Sequence, residues 1–223
     1  MTRAKRGLDL VGAGLGVVLL APLLALLALL VKAEDGGPVV FKQERVGYRG
    51  RRFLIWKFRT MVPDAEARGL PLTVGRDPRV TRIGAWLRRL KLDELPQLFN
   101  VLVGDMSLVG PRPDVPRYVA LYGASELRVL ELVPGMTDEA ALLYLDEDAM
   151  LAAAPDAERH YLSEIAPQKI RLSLAYAARA TVWSDLRVIL ATLRHLYWSA
   201  AGTQFPAGLG RADPAVDPRS LKR

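Results

Sequence analysis

The first strong pattern along the chain is a block at residues 8–31 that is apolar almost without interruption, with Asp9 as its one charge. As a single helix it would measure roughly 36 Å, enough to cross the hydrocarbon core of a bilayer. A signal peptide would have a shorter apolar core and a small-residue cleavage site. Here the block runs directly into Val31-Lys32-Ala33-Glu34-Asp35. Thr2-Arg3-Ala4-Lys5-Arg6 precedes it and a very basic stretch follows, so the positive-inside tendency would keep both flanks on the cytoplasmic side. Pro22 removes one helical hydrogen bond and crowds the carbonyl of Val18, and a bend there would let the helix enter one leaflet and return. Physics alone leaves a spanning helix equally open, because membrane helices tolerate proline.

Asp35-Gly36-Gly37-Pro38 then reads as a turn. Val39-Val40-Phe41 predicts a short strand and residues 53–58 a second, joined through Gly47-Tyr48-Arg49-Gly50. Residues 63–78 read as loop. From Thr81 the period lengthens: Ile83, Trp86, Leu87 and Leu90 fall on one helix face, accompanied by Arg82, Arg88, Arg89 and Lys91. A basic amphipathic helix carrying Trp suits a membrane surface, with a core-facing helix as the alternative. Further helices are predicted over 127–133, 140–154, 168–180 and 184–198, the last capped by Ser184 or Asp185. Tyr197-Trp198 is an interfacial or a core pair. Residues 200–223, rich in Gly, Pro and charge, read as disordered.

Charge sharpens this picture. The chain carries +7 overall, but residues 42–91 hold fourteen Lys/Arg against four Asp/Glu, a local balance of +10. Residues 131–158 hold eight acids and no Lys or Arg. The basic lobe attracts phosphates of any origin: nucleotide, nucleic acid or lipid headgroup. With no Cys, disulfide frameworks and thiol chemistry are excluded.

Three places could carry chemistry. Asp93-Glu94 sets two adjacent carboxylates just beyond the basic helix, pointing about 100° apart if helical and so free to take separate tasks. Helix capping or an ion pair with Arg88 or Arg89 is the alternative. Gly110-Pro111-Arg112-Pro113 places one arginine between two prolines, a rigid way to present a phosphate clamp. A turn with a solvated arginine is the plainer reading. Lys57 and Arg59 form a second cationic pair that could grip a pyrophosphate, or simply a basic strand edge. No glycine-rich phosphate loop is present, and His160 and His195 lack metal-ligand spacing.

Six ordered blocks resemble the bacterial sugar transferases, the monotopic polyprenyl-phosphate phosphoglycosyltransferases. They are Lys5-Arg6-Gly7-Leu8-Asp9-Leu10, residues 36–47, Trp56-Lys57-Phe58-Arg59-Thr60-Met61, residues 77–84, residues 92–100 and residues 104–113. Pro134-Gly135-Met136-Thr137 resembles a further block. The resemblance implies an α+β, mostly helical fold: a re-entrant membrane helix, a short β-hairpin and amphipathic interfacial helices around a membrane-surface active site. It divides the chain into a membrane helix at 1–34, a cytoplasmic-face catalytic domain at 35–199 and a tail at 200–223, at the bacterial inner membrane.

The implied reaction is ping-pong. Asp93 would attack the β-phosphate of a UDP-sugar and expel UMP; polyprenyl (undecaprenyl) phosphate would then accept the phosphosugar and so initiate glycan assembly. Mg²⁺ is the implied cofactor, with Asp93 near the metal and Glu94 assisting. Arg112 between Pro111 and Pro113 would hold phosphate oxygens, with Lys57, Arg59 and Arg88 in support. Membrane lipid is an implied partner, nucleic acid is not, and a homodimer is left open. Two departures from the family stand out: Ala21-Pro22 replaces the usual Ser-Pro at the kink, and Asp138-Glu139-Ala140-Ala141 replaces a Gly-Leu-Trp-Gln-Val run. The competing reading is a non-catalytic membrane-tethered basic module binding nucleic acid or anionic lipid, which leaves Asp93-Glu94 without a role.

Overall fold

The computed structural model describes residues 1–65, 77–145 and 147–200. Most of the 63–78 loop, and the tail expected from 200 onward except its first residue, lie outside the described residues. The apolar block forms helix α1, Arg3–Asp35, which continues through Pro22. Thr2 caps its start by accepting a hydrogen bond from the Lys5 amide. Gly36, at φ 73°, closes its end by donating to the Lys32 carbonyl, a left-handed position that glycine reaches without strain.

Only Asp9, Ala13, Leu27 and Val31 of α1 are buried. They are four and fourteen residues apart and so lie along one stripe. Opposite this stripe, Val11, Leu15, Val18, Leu19, Leu26 and Leu29 are each more than half exposed. Gly12 and Gly16 allow close approach to the body of the protein: a Cβ at Gly12 would meet Leu108 at 2.7 Å, and one at Gly16 would meet Leu98 at 3.2 Å. Gly12 and Gly16 thus serve helix packing, while a Cβ at Gly14 would meet nothing within 4 Å.

α1 lies along an antiparallel hairpin, β1 (Val40–Val46) and β2 (Arg52–Phe58), paired from Val40 with Phe58 to Val46 with Arg52. Phe53, Ile55 and Phe58 of β2 point inward. Phe53 and Ile55 meet Ala13 together with Leu98, Val101 and Met106. Phe58 meets Leu27, Val31 and Leu87. The two ends of α1 therefore rest on two apolar clusters, and each fully buried Leu or Val contributes about 1.5–3 kcal/mol.

Helix α2 (Arg82–Arg89) is capped by Thr81, whose hydroxyl accepts from the Gly84 amide. After a tight turn come α3 (Gln97–Val103) and the short strand β3 (Ser107–Val109). Short helices α4 (Pro116–Val119) and α5 (Ala124–Leu127) follow, and then β4 (Gly135–Thr137), which pairs parallel to β3. The predicted helix over 140–154 is two helices, α6 (Glu139–Leu143) and α7 (Glu147–Ala153). Helix α8 (Ala157–His160) leads into one wide π-turn at Tyr161–Ile165, then α9 (Ala166–Arg179) and α10 (Val182–Ala200).

The expected cap of the last helix is corrected. The helix starts at Val182, and Thr181 and Ser184 cap it reciprocally: Ser184 N–H donates to Thr181 Oγ1 at 3.1 Å, and Thr181 N–H donates to Ser184 Oγ at 2.8 Å. Asp185 is buried instead. It accepts from Lys5 Nζ at 2.6 Å and from the Tyr176 hydroxyl at 2.7 Å, tying the start of α1 to α9 and α10. The Tyr197 and Trp198 rings meet edge to face, with Tyr197 well exposed.

Candidate active site

α2 stops at Lys91, whose φ of 55° reverses the chain into a 3₁₀ turn at Leu92–Glu94. The Asp93-Glu94 pair therefore sits on a turn between two helices. The turn is braced through α3, where Asn100 extends the outer edge of β2. Its Oδ1 accepts from the Trp56 amide at 3.0 Å and its Nδ2 donates to the Leu54 carbonyl at 2.8 Å. One buried amide thus fixes the carboxylate turn against the strand that carries Lys57. Asn100 closes one of the sequence blocks, and nothing local in the sequence marks it as a brace.

The two carboxylates have opposite surroundings. Glu94 Oε1 accepts from Lys57 Nζ at 2.9 Å, and Arg112 bonds both Glu94 oxygens, at 2.5 and 3.2 Å. Burial alone would raise the Glu94 pKa, but the charges of Arg112 and Lys57 and their hydrogen bonds outweigh it and hold the carboxyl well below its usual range. Asp93 is buried and makes no hydrogen bond or ion pair among the described residues. Burial raises its pKa, and the neighbouring Glu94 charge adds to the rise. Burial likewise lowers the pKa of Lys57, with Glu94 opposing.

Arg112 is presented as its proline neighbours suggested: Pro111 and Pro113 are buried and the guanidinium is half-exposed. The loop is anchored on both sides. Gly110 N–H donates to the Thr137 carbonyl, Gly135 N–H to the Pro111 carbonyl, and Val46 N–H to the Asp114 carbonyl, each at 2.9 Å. Arg45 adds a side-chain strut, with Nη1 donating to the Pro113 carbonyl at 3.1 Å. Burial and the nearby Arg112 charge lower the Arg45 pKa.

These groups line one cleft of about 460 Å³, within the usual range for small-molecule sites. Lys57, Arg59, Arg88, Asp93 and Arg112 all contribute to its wall, so the structure brings the sequence candidates together; Glu94 lies just behind, gripped by Lys57 and Arg112. Their states differ. Arg88 is uncommitted among the described residues. Arg59 spends its donors on Asp35, Pro38 and Met61, which ties the end of α1 to β2. Arg45, Asp114, Tyr118, Glu147 and Tyr161 also line it and were not singled out from sequence. Asp114 Oδ2 accepts from both Tyr122 and Tyr161 hydroxyls at 2.8 Å, which fixes the Tyr161 ring.

Among the described residues no three His, Asp or Glu side chains converge into a closed metal cage. Mg²⁺ commonly binds through one or two carboxylates together with substrate phosphates. The Asp93 carboxylate, without a partner among the described residues and set in a cationic cleft, fits that mode, whereas Glu94 already has its oxygens bonded.

Among the described residues the cleft is lined mainly by cations, and Asp93 is left without a hydrogen bond or ion pair, a setting suited to phosphate groups. The family follows from comparison: a family model described as bacterial sugar transferase matches residues 1–199, and the chain belongs to that family. It is 40% identical over 202 residues to an undecaprenyl-phosphate glucose phosphotransferase of Komagataeibacter xylinus, covering 87% of this chain and 36% of the relative. It is 38% identical over 203 residues to a UDP-glucose:undecaprenyl-phosphate glucose-1-phosphate transferase of Caulobacter vibrioides, covering 86% and 69%. It is 36% identical over 193 residues to a UDP-N-acetylgalactosamine-undecaprenyl-phosphate N-acetylgalactosaminephosphotransferase of Aeromonas hydrophila, covering 85% and 43%. Of these three relatives' own lengths the chain thus spans 36%, 69% and 43%.

Proposed function

We propose that the protein transfers a sugar 1-phosphate from a UDP-sugar to undecaprenyl phosphate, releasing UMP, with Asp93 as the nucleophile. One observation carries the assignment: among the described residues Asp93 has no hydrogen bond or ion pair, in a cleft whose other charged groups are mostly cations. The names of the relatives support the same substrates. They do not favour a non-catalytic basic module.

In this reading the pyrophosphate enters between Lys57, Arg88 and Arg112, whose charge offsets the repulsion between phosphate and carboxylate. An Asp93 oxygen attacks the β-phosphorus, the bond to the bridging oxygen breaks, and UMP leaves with that electron pair. A phosphosugar–aspartate remains. An undecaprenyl phosphate oxygen then attacks the same phosphorus and the aspartate oxygen departs. Glu94 stays ionised throughout and holds Arg112 and Lys57 in place. Asp93 would hold Mg²⁺ together with the substrate phosphates, and the ion would neutralise charge developing on the phosphate oxygens.

The acceptor phosphate lies at a bilayer surface, so the cleft must lie there too. We read α1 as entering one leaflet and returning, with Pro22 as the bend point and the cytoplasmic face of the inner membrane carrying residues 35–199. Support comes from both ends of α1 being bonded to the same body. Lys5 and Arg6 hold β3, α10 and α3 at one end, while Glu34 caps α2 and Asp35 pairs with Arg59 at the other.

The test is UMP release from a panel of UDP-sugars with polyprenyl phosphate and Mg²⁺, with intact-protein mass spectrometry to trap the phosphosugar. Full turnover by Asp93→Asn would sink the covalent mechanism. Single cysteines at Thr2 and Gly36, in this Cys-free chain, should be labelled from the same side of the membrane. Labelling from opposite sides would refute re-entry.

A further inference from the structure

The cleft has two unlike walls. The hairpin and α2 supply Lys42, Lys57 and Arg88, a cationic side suited to phosphates. The facing side, from α4, α7 and the π-turn, supplies Tyr118, Glu147, Leu151 and Tyr161. A carboxylate on this side repels a pyrophosphate, so Glu147 is out of place unless it meets a neutral part of the ligand.

Its geometry favours that role. Glu147 Oε2 accepts from Lys169 Nζ at 2.6 Å, and that lysine is largely buried at 12% exposure. The second oxygen, Oε1, has no partner among the described residues. The carboxylate is thus held on one side and free on the other. Next to it the Tyr161 ring packs on Tyr118 at 5.6 Å between centroids, with its hydroxyl held by Asp114. Leu151 beneath is buried. Glu147 also lies near enough to Arg112 for its charge to add to the larger effect of Glu94 there. This places it beside the phosphate clamp.

We propose that Glu147, with the ring of Tyr161 beside it, forms the hexose subsite and sets sugar preference: Oε1 accepts hydrogen bonds from ring hydroxyls, and the aromatic face covers the C–H surface of the sugar. This rests on the transferase reading above. The hexose is attached to the phosphate that Asp93 attacks, so its subsite must adjoin Arg112. A neutral ring bearing several hydroxyls matches a clamped carboxylate next to an aromatic plane. A ribose offers the same hydroxyl chemistry from the nucleotide end, and the test separates the two.

The full chain in lipid nanodiscs is assayed for UMP release with UDP-hexoses that differ in configuration at C2 and C4. For the best wild-type sugar, Glu147→Gln is expected to lower kcat/KM about 10- to 100-fold, the range for losing a charge-assisted hydrogen bond. The gap between that sugar and its epimers should narrow, while the inhibition constant of UMP stays within about twofold. Glu147→Asp keeps the charge for Lys169 but withdraws the carboxylate by one methylene. It should alter the ranking in the same direction, and it decides the matter if the Gln variant does not fold. UMP inhibition that weakens in parallel would move Glu147 to the ribose and overturn the proposal, as would a uniform fall for all sugars or an unchanged ranking. Wild-type protein that releases no UMP from any sugar would defeat the transferase reading itself, and the hexose subsite with it. An active wild type with an unaltered ranking in the variants would defeat the subsite alone.

Discussion

Neutralising Asp93 and neutralising Glu94 should move stability in opposite directions, although the residues are adjacent. Glu94 and Lys57 are each only 16% exposed, and Arg112 is 45% exposed. Removing one partner of a buried ion pair costs about 3–5 kcal/mol, whereas the more open Arg112 side is screened and adds at most about 1 kcal/mol. The amide of Glu94→Gln keeps one acceptor, which puts the expected loss near the lower end, about 3 kcal/mol. For a chain of this size that is a drop of roughly 6–12 °C in Tm. Asp93 is the reverse case: its folded pKa is raised by burial and by Glu94, so its protonated form is favoured by folding. That contribution is complete below the unfolded pKa and is lost as pH rises through the folded one. At pH 7 Asp93→Asn should therefore raise Tm while abolishing turnover, as expected where function requires an unfavourable charge. The assay is thermal unfolding by Trp fluorescence in Mg²⁺-free detergent solution with a chelator, across pH 5–8. Equal shifts of the same sign for the two variants would refute the division of labour between the carboxylates.

Other outcomes follow from the packing. Gly135→Ala would place a Cβ 2.1 Å from the backbone nitrogen of Gly110, so β3 and β4 must separate; about 3 kcal/mol of stability and most turnover should be lost together, by unfolding and UMP assays. Leu27→Ala empties a fully buried site between α1, Phe58 and Leu87 and should cost about 2–5 kcal/mol in denaturant unfolding, with kcat of the folded fraction nearly unchanged. Hydrogen bonds from Arg59 lead in lowering the Asp35 pKa to about 2, against about 3.9 unfolded. Its stabilisation is thus present above pH 4 and lost as pH falls through 2. The Tm gap between wild type and Asp35→Asn should be widest near neutrality and close on acidification.

Legibility from sequence followed the reach of each interaction. α1 was visible because a 24-residue block with a single charge needs no partner to be recognised, and its ends at Thr2 and Gly36 follow from local caps. β1 was read as three residues but runs from Val40 to Val46, because Lys42, Gln43 and Arg45 face the cleft and function replaces apolar alternation there. β3 and β4 have three residues each and no period to read. Their pairing depends on two glycines 25 positions apart that allow the backbones to touch. The helix expected over 140–154 breaks after Leu143, where Tyr144 turns out of helical conformation and its hydroxyl bonds Gln168 on α9. In the site, Asp93, Glu94, Arg112, Lys57 and Arg88 were legible as charges in distinctive settings. Glu147 and Asp114 were not, since nothing local says which acid of many will face a cleft.

The basic residues in the first turn of α1 also have a structural task that the positive-inside rule does not describe. Arg6 donates to the carbonyls of Val101 and Leu102 at 2.7 and 2.9 Å, satisfying the end of α3. Lys5 bridges the Val109 carbonyl and buried Asp185, and Asp9 accepts from Ser107 Oγ and the Leu108 amide, each at 2.9 Å. These side chains are consumed by the fold, so in the proposed topology the side of the membrane they occupy would be set by the body they cap as well as by lipid charge. The same contacts carry to the chemistry. α3 begins just after Glu94 and is held at its far end by Arg6, which makes it a rigid strut between α1 and the Asp93 turn. In the proposed reaction the height of the Asp93 carboxylate relative to the apolar face of α1 would be a property of one short helix and its two ends, and a lipid-borne phosphate would meet it at a depth that this strut determines.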